Sequence, residues 1–342
     1  MFQFKIIETG LNRLNQALER FMPILTPLGV LLGLILGSRV SWMKPSVTWL
    51  FAFLTFSGAL GISSSSFLKV IKKPKNIFVF FLGTNIIMPI IAWTLASLFF
   101  GSNPAVVTGY VLLLSIPTAV SGYIWSAIYK GDGALSLTLI LVSTIMAPLL
   151  TPFTISFLTQ SSVAIDSTSM MLSLLKMVVI PSLLGVSLNS LTKGGVTTHL
   201  TPSLKPFSKI ALFFVIIINT SLVSERLIAD ASWAYIPIAL LCAFLAASGY
   251  PIAYTLGKLA KIPHEENISI TFATSMRNIS AALVLSIEFF PAQTALPVIF
   301  GIVFQQTVYA FMGYFLFGKN KILPQQFLRS KPCKQSQQSK NQ

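Results

Sequence analysis

One apolar stretch of the chain, residues 268–289, is long enough to cross a lipid bilayer and yet carries an arginine near its middle. A membrane-spanning helix needs about 20 apolar residues, and an arginine at its centre costs at least about 2.5–3.5 kcal/mol. Such a residue persists only where a partner or a water-filled cavity meets the guanidinium. We therefore predict a break in this helix at the run Met-Arg-Asn-Ile-Ser, residues 276–280, which contains Arg277.

A second apolar stretch, residues 105–129, is also interrupted, and it lies about half a chain earlier. Its interruption reads LSIPTAVSGY over residues 114–123, and Pro117 removes one backbone donor there. Loose backbone groups at membrane depth are tolerated where they are buried in protein or line a cavity. Two interrupted helices in corresponding parts of a chain point to the binding site of a secondary transporter.

The composition of the chain is that of an integral membrane protein. Of its 342 residues, 54% are hydrophobic and only 10% are charged, and the mean hydropathy is +0.77. The net charge of +15 does not indicate nucleic-acid binding, because the basic residues lie in short segments between apolar stretches. Two cysteines, Cys242 and Cys333, and two histidines, His199 and His264, predict neither a disulfide framework nor a metal site.

The apolar stretches predict ten transmembrane helices, of which the seventh is the shortest. Basic residues support this number, because 19 lysines and arginines fall on one side of the membrane and three on the other. Under the positive-inside rule, this bias places both termini in the cytoplasm. The predicted spans are residues 21–38, 47–68, 77–100, 105–129, 134–158, 170–191, 210–223, 234–256, 268–289 and 294–317.

The segments that flank the spans have a different composition. Residues 1–20 lack a compact apolar core, so we predict no signal peptide. This N-terminal segment forms either a short amphipathic helix on the membrane surface or an ordered cytoplasmic stub. Residues 319–342 are rich in Gln, Lys and Ser, and we predict that they form a disordered basic cytoplasmic tail.

Ten spans divide into two halves of five, residues 21–160 and residues 168–318. An odd number of helices in each half inverts the second half relative to the first. Prolines recur at corresponding places, in spans one and six and in spans three and eight, although proline is also common in membrane helices generally. The predicted fold is an all-α membrane protein with two inverted five-helix repeats, in which helices 4 and 9 are broken and cross.

A few polar side chains carry the chemistry of the two breaks. A guanidinium offers five fixed donors that suit a carboxylate, so Arg277 either serves an anion as countercharge or caps the loose carbonyls of the broken helix. The small polar residues nearby either bind solute or satisfy backbone groups, and they are Ser275, Asn278, Ser280, Ser115, Ser121 and Tyr123. Further pocket candidates, which equally suit hydrogen bonds between helices, are Thr84, Asn85, Gln305 and Gln306.

Two other ionisable residues fall within the predicted spans. Glu288 lies near the end of the ninth span and Lys176 lies in the sixth. We expect Glu288 to lie at the membrane interface, with a role in proton coupling as the alternative. The long side chain of Lys176 is expected to extend its amine to the interface.

Three stretches of the chain resemble the bile acid:sodium symporter family, namely residues 84–89, 117–152 and 275–297. The resemblance runs from about residue 21 to residue 317, and its most specific part is the turn Lys130-Gly131-Asp132 with the serines and threonines that follow it. It implies ten spans in two inverted repeats, a core domain from spans 3–5 and 8–10, and a panel domain from spans 1, 2, 6 and 7.

The family carries organic anions such as bile acids, pantothenate or its precursors, and related carboxylates. The run Met-Arg-Asn-Ile-Ser at the second break is similar to the bacterial branch that includes pantothenate and pantoate transporters. That branch implies a multi-pass protein of the bacterial inner membrane.

The sodium-binding pattern of the family is mostly lost in this chain. The pattern has a glutamate three residues before the methionine of the ninth span, where this chain has Ala273. It has a glutamine directly after that methionine, where this chain has Arg277. Hard cations need several oxygen ligands, preferably with a carboxylate, so we expect poor sodium binding, no metal site and no cofactor. The replaced positions are Gly122, Tyr123, Ile140, Ala273 and Arg277, whereas Ser136 is retained and Thr84 stands at a glutamine position.

We interpret the protein as a secondary active transporter of a small organic anion, such as pantothenate, pantoate, a keto acid or a bile-acid-like carboxylate, working by alternating access. Its partners are that anion and the lipid bilayer, not nucleic acid. The alternatives are a sodium-coupled symporter with a rebuilt ion site and a membrane receptor or partner protein that has lost transport. An enzyme is not indicated, because the sequence shows no paired acids, metal-ligand cluster or nucleophile with a base.

Overall fold

The structure is a computed structural model that describes residues 2–61, 74–159, 166–229 and 235–318. Within these residues the regular elements are helices, and the one strand-like contact is an isolated antiparallel bridge between Thr118 and Arg277. Five helices are long and apolar enough to cross a membrane. The structure thus confirms the all-helical fold, whereas ten spans and an inverted repeat stay predictions.

We number the α-helices of the described residues α1 to α12 in chain order. There are also two 3₁₀ helices: Gly37–Met43 follows α1, and Ala292–Thr294 precedes α12. The bounds are α1 Phe2–Leu36, α2 Lys44–Ala59, α3 Pro74–Phe100, α4 Pro104–Ser115, α5 Ser121–Ile128, α6 Gly133–Thr159, α7 Ser167–Leu191, α8 Gly195–Ala229, α9 Tyr235–Leu259, α10 His264–Ser275, α11 Ile279–Phe289 and α12 Ala295–Phe317.

Two helices are longer than the sequence predicts. Helix α1 runs through residues 2–20 into the first span without interruption and is 35 residues long. The seventh span was predicted to be the shortest, but it lies inside α8, which is also 35 residues long. Polar residues continue both helices beyond the apolar stretch. One contact joins these extensions: the amine of Lys209 in α8 donates to Asn15 Oδ1 in α1 at 2.7 Å. The predicted tail, residues 319–342, lies outside the described residues.

A proline explains why α3 is not a regular α-helix. Pro89 follows directly after a π-helical segment, Leu82–Ile87, and Met88. A proline ring clashes with the carbonyl four residues earlier and offers it no N–H, and a π turn moves that carbonyl aside. The N–H of Met88 accordingly donates to the carbonyl of Gly83, five residues back. Helix α7 has the same arrangement before Pro181.

The helices pack into two bundles. The panel bundle contains α1, α2, α7 and α8, with α1 along α8 and α7 along α2, and the core bundle contains α3 to α6 and α9 to α12. Glycines allow the closest approaches in the panel bundle. A Cβ added at Gly33 in α1 would lie 2.6 Å from the carbonyl of Ile217 in α8, and one added at Gly185 in α7 would lie 2.8 Å from the carbonyl of Phe56 in α2.

Candidate functional site

The two predicted breaks meet inside the core bundle and pair with each other. The first break separates α4 from α5, and the second separates α10 from α11. The N–H of Ala119 donates to the carbonyl of Met276 at 3.0 Å, and the N–H of Asn278 donates to the carbonyl of Pro117 at 2.9 Å. Each break thus satisfies backbone groups of the other, as non-helical backbone at membrane depth requires. Both predicted breaks are present and they meet, whereas their place in the fourth and ninth of ten spans stays a prediction.

Arg277 lies at this crossing and is 1% exposed. Its guanidinium donates through Nη2 to the carbonyl of Thr84 at 2.8 Å and through Nη1 to the carbonyl of Ile116 at 3.3 Å. The carbonyl of Thr84 has no hydrogen-bond partner within α3. In the π-helical segment its donor would be the N–H five residues later, at position 89, and proline has no N–H. The arginine therefore caps one loose carbonyl in α3 and one at the end of α4, which is the capping role that the sequence left open.

The positive charge of Arg277 has no carboxylate partner among the described residues. Both of its side-chain bonds go to neutral carbonyls, and its Nε has no hydrogen-bond partner there. Glu288 is exposed and accepts a hydrogen bond from Ser173 in α7 at 3.2 Å, and Lys176 is also exposed. An uncompensated buried charge is costly, so an incoming anion would gain from neutralising it.

Gln305 of α12 joins the second break through its side chain. Its Oε1 accepts the N–H of Arg277 at 3.2 Å, and its Nε2 donates to the carbonyl of Arg277 at 2.9 Å. The sequence offered Gln305 as either a pocket residue or a residue that bonds two helices, and the structure shows the helix-to-helix bond. The side chain of Gln306 lies outside the described residues.

Hydroxyl groups hold the first break in the same way, and the sequence analysis did not select them as site residues. The N–H of Thr118 donates to Ser143 Oγ at 3.1 Å, and Thr118 Oγ1 donates to the carbonyl of Ala273 at 2.8 Å. Thr151 donates to the carbonyl of Ser115 at 2.8 Å. Hydroxyl residues in otherwise apolar helices commonly bond a neighbouring helix, and this is the signal that would have found Ser143 and Thr151.

The positions that match the family's sodium-binding pattern do not fit a sodium ion. Ala273 is 2% exposed and belongs to a cluster of apolar side chains that includes Phe80 and Leu139. Ile140 is equally buried, and the guanidinium of Arg277 occupies the place of an uncharged ligand. Hard cations need several oxygens, and these three positions supply two apolar side chains and a positive charge instead.

Ser136, the retained member of that pattern, is not part of the crossing. Its hydroxyl donates to Ser126 Oγ at 2.9 Å, and the Ser126 and Ser269 hydroxyls are 3.0 Å apart. Ser269 precedes Arg277 by eight residues, or about 12 Å along a helix. The hydroxyl of Ser136 joins α6 to α5 and, through Ser126, to α10, while its predicted role in the substrate or ion site stays a prediction.

The remaining predicted residues fall into a buried and a half-buried group. The hydroxyl of Ser275 turns back to the carbonyl of Thr271 at 2.8 Å, so it satisfies its own helix. The hydroxyls of Thr84 and Ser115 are buried without a partner among the described residues. The half-buried side chains, which remain accessible at or near the breaks, are Asn85, Ser121, Tyr123, Asn278 and Ser280.

Residues 48–230 of the chain match the family described as the Sodium Bile acid symporter family. The chain is 39% identical over 295 residues to the "Uncharacterized protein YbaS" of Bacillus subtilis (strain 168), which covers 86% of this chain and 96% of that protein. It is 25% identical over 277 residues to the "Probable sodium/metabolite cotransporter BASS1, chloroplastic" of Arabidopsis thaliana, covering 81% of this chain and 68% of that protein.

A further relative is the "Uncharacterized sodium-dependent transporter YocS" of Bacillus subtilis (strain 168), 22% identical over 270 residues, or 78% of this chain and 81% of that protein. The family consists of membrane transporters and not of enzymes. Together, the family match and the 39% identity to YbaS show that this chain belongs to the sodium bile acid symporter family.

Proposed function

We propose that this protein carries a small organic anion across the bacterial plasma membrane and that Arg277 supplies the positive charge of the binding site. The observation that carries this proposal is the buried guanidinium at the helix crossing, which bonds two neutral carbonyls and no carboxylate among the described residues. Charges attract far more strongly in a low-dielectric interior than in water. An anion at the crossing therefore gains energy that a neutral solute does not.

The ends of the half-helices support the same choice of substrate. Helices α5 and α11 both begin at the crossing, so the positive ends of their dipoles lie there. The negative ends of α4 and α10 lie there too, and Arg277 binds the carbonyl of Ile116 at the end of α4. Asn278 caps α11 by accepting the N–H of Ala281 at 3.4 Å and is still half-buried. Half-helix N-termini that point at an anionic substrate group are a recurring device of secondary transporters.

The two bundles provide the parts that alternating access requires. The first break faces the panel bundle, because a Cβ added at Gly58 in α2 would lie 3.5 Å from Cγ2 of Val120. A site between two bundles opens to alternate sides of the membrane when one bundle moves against the other. We assign the half-buried polar side chains at the crossing to this substrate site.

Transport in this proposal does not need a sodium ion at the family's positions, because the guanidinium is a built-in cation. Sodium-coupled symport is the second candidate, and the names of YocS and BASS1, which describe sodium-dependent transport by those proteins, favour it. That mechanism would require oxygen ligands from residues other than Ala273 and Arg277.

Ligand-induced thermal stabilisation of the purified full-length protein tests the proposal. Pantothenate, pantoate, keto acids and taurocholate are each titrated in sodium buffer and in potassium buffer. A ligand at 100 times its Kd raises the stability by about 2.7 kcal/mol. We expect a dose-dependent shift from at least one of these carboxylates, equal in both buffers, and saturable uptake of the same carboxylate into proteoliposomes.

Three results would count against the proposal in different ways. A shift seen only in sodium buffer would support the symporter with a rebuilt ion site. Binding without any uptake into proteoliposomes would favour the receptor. Absence of both binding and uptake for every carboxylate would contradict an organic anion as the substrate.

A further inference from the structure

We propose that Gln305 is the positioning residue for Arg277 and that its neutral carboxamide keeps the crossing positively charged. The inference rests on the anion site proposed above and adds to it the group that fixes its geometry. It is carried by the two hydrogen bonds between one side chain and both backbone groups of one residue.

The hydrogen-bond pattern of the crossing explains why Arg277 needs such a partner. In the antiparallel pair, the bonds to the first break come from Met276 and Asn278. The N–H and the carbonyl of Arg277 consequently point to the opposite edge, as alternate residues of an antiparallel pair do. Gln305 meets both groups there, at 3.2 and 2.9 Å. The carbonyl of Arg277 also accepts the N–H of Ile279 at 2.9 Å, so it is the N–H of Arg277 that depends on Gln305.

Helix α12 is close-packed against the crossing on both sides of Gln305. One turn earlier, a Cβ added at Gly301 would lie 2.9 Å from a methyl group of Leu113 in α4 and 3.4 Å from one of Ile279 in α11. One turn later, the ring of Tyr309 packs edge-on against Trp125 in α5, with centroids 5.9 Å apart. The helix therefore contacts both broken helices, and the position of its glutamine is fixed.

A carboxamide is the one side-chain group of this size that serves both bonds and leaves the charge unchanged. A glutamate at position 305 could accept the N–H of Arg277 but could not donate to its carbonyl. It would also place a negative charge against the backbone of Arg277, whose guanidinium has no carboxylate partner among the described residues. The replacement would cancel the positive charge that we assign to substrate binding.

Three substitutions separate the geometric role of Gln305 from its electrostatic role. Q305L removes both hydrogen bonds and keeps the site charge, Q305E keeps one bond and cancels the charge, and Q305N keeps both groups on a side chain one methylene shorter. The matched control is Q293L, because Gln293 is an exposed glutamine in the 3₁₀ helix before α12.

The experiment combines hydrogen–deuterium exchange with anion binding on the full-length protein. Exchange is followed in peptides that cover residues 273–279, and binding is measured by thermal stabilisation with the carboxylate that stabilises the wild type. We expect exchange at Arg277 to be at least tenfold faster in Q305L and intermediate in Q305N. The Kd of the anion should rise at least tenfold in Q305E and rise less in Q305L, while Q293L matches the wild type in both assays.

Each arm of the experiment has an outcome that overturns one part of the inference. Unchanged exchange in Q305L, or in Q305N if Q305L does not fold, would remove the positioning role. Equal anion affinity in Q305E and Q305L would remove the role of neutrality. If the wild type binds no organic anion, the proposed function is wrong. The difference in hydrogen–deuterium exchange between the wild type and Q305L would still decide whether Gln305 positions Arg277.

Discussion

At the scale of single residues, Arg277 joins two roles that the sequence left as alternatives. Its two capping bonds go to the carbonyls of Thr84 and Ile116. Because these acceptors are uncharged, capping does not neutralise the guanidinium. A residue that holds the crossing together can therefore also set the charge of the site, and neither role excludes the other.

Substitution of Arg277 separates the two roles. R277Q removes the charge and the hydrogen bond between the guanidinium and the anion. A hydrogen bond to a charged group is worth about 1.5–3 kcal/mol, so we expect at least a tenfold lower rate of anion uptake. R277K keeps the charge but reaches only one of the two carbonyls, so we expect intermediate uptake and a lower Tm. Initial uptake rates into proteoliposomes and thermal melts measure both effects.

The control for these variants is K176Q, which removes a positive charge from an exposed position in α7. Its uptake should equal that of the wild type. Wild-type uptake by R277Q would contradict the assignment of Arg277 as the site charge.

The sequence identified Arg277 because a charge inside an apolar stretch is conspicuous, but it could not identify the partners of Arg277. Two of these partners are backbone carbonyls, which every residue has, and the sequence does not show which ones are free. Gln305 was offered as a pocket residue or as a residue that bonds two helices, and its side chain makes the second kind of contact, to the backbone of Arg277. Ser136 was selected by resemblance alone, and the structure places it with Ser126 and Ser269.

At the scale of helices, prolines and glycines decide where the elements bend and how closely they approach. Pro89 leaves the carbonyl of Thr84 without a donor within the helix, and the guanidinium of Arg277 donates to it instead. The prolines were visible in the sequence, whereas the π turns were not, because the extra residue in the turn depends on how the helix relaxes around the ring. The lengths of α1 and α8 were missed since helices can continue through polar residues.

Replacement of Pro89 by alanine tests the link between α3 and the arginine. P89A supplies an N–H that can bond the carbonyl of Thr84 within the helix, in competition with the guanidinium. We expect anion uptake to fall several-fold while the Tm stays close to that of the wild type. The matched control is P181A, which makes the same change after the π turn of α7; an equal loss of uptake in both variants would contradict the link.

Substitution of a glycine tests the packing of the core bundle. A Cβ added at Gly109 in α4 would clash with the carbonyl of Thr294, so α4 must move away from the turn before α12. Overpacking of this kind typically costs about 1–3 kcal/mol, and we expect G109A to lower the Tm. The control is G10A, where the added Cβ meets nothing within 4 Å; a Tm for G109A as high as that of G10A would show that the contact is not tight.

At the scale of the whole molecule, the broken helices account for two of the predicted spans that are not among the long apolar helices of the described residues. Helix α4 has 12 residues and α11 has 11, so neither is long enough to cross a bilayer alone. A count of long apolar helices finds five. In our interpretation α4 with α5, and α10 with α11, each cross as a pair, and the inverted repeat stays a prediction that rests on this pairing.

A cross-link between the bundles tests whether they move during transport. Gly58 in the panel bundle faces Val120 at the first break, so a disulfide in G58C/V120C, built on C333S, would join them. We expect oxidation to stop uptake and reduction to restore it, with gel mobility reporting the cross-link. The single variants under the same oxidant are the controls, and undiminished uptake by the cross-linked protein would exclude relative motion at this contact.

The shared backbone bonds of the crossing also bear on how the protein is made. Thr118 and Ala273, which are joined by a hydrogen bond, are 155 residues apart in the chain. At a synthesis rate of about 5–20 residues per second, the first break waits roughly 10 to 30 s for its partner. Until α10 and α11 arrive, its peptide groups must be shielded by water or by the insertion machinery. A nascent chain that stalls before this point leaves the carbonyl of Pro117 and the N–H of Ala119 without the partners that the second break supplies.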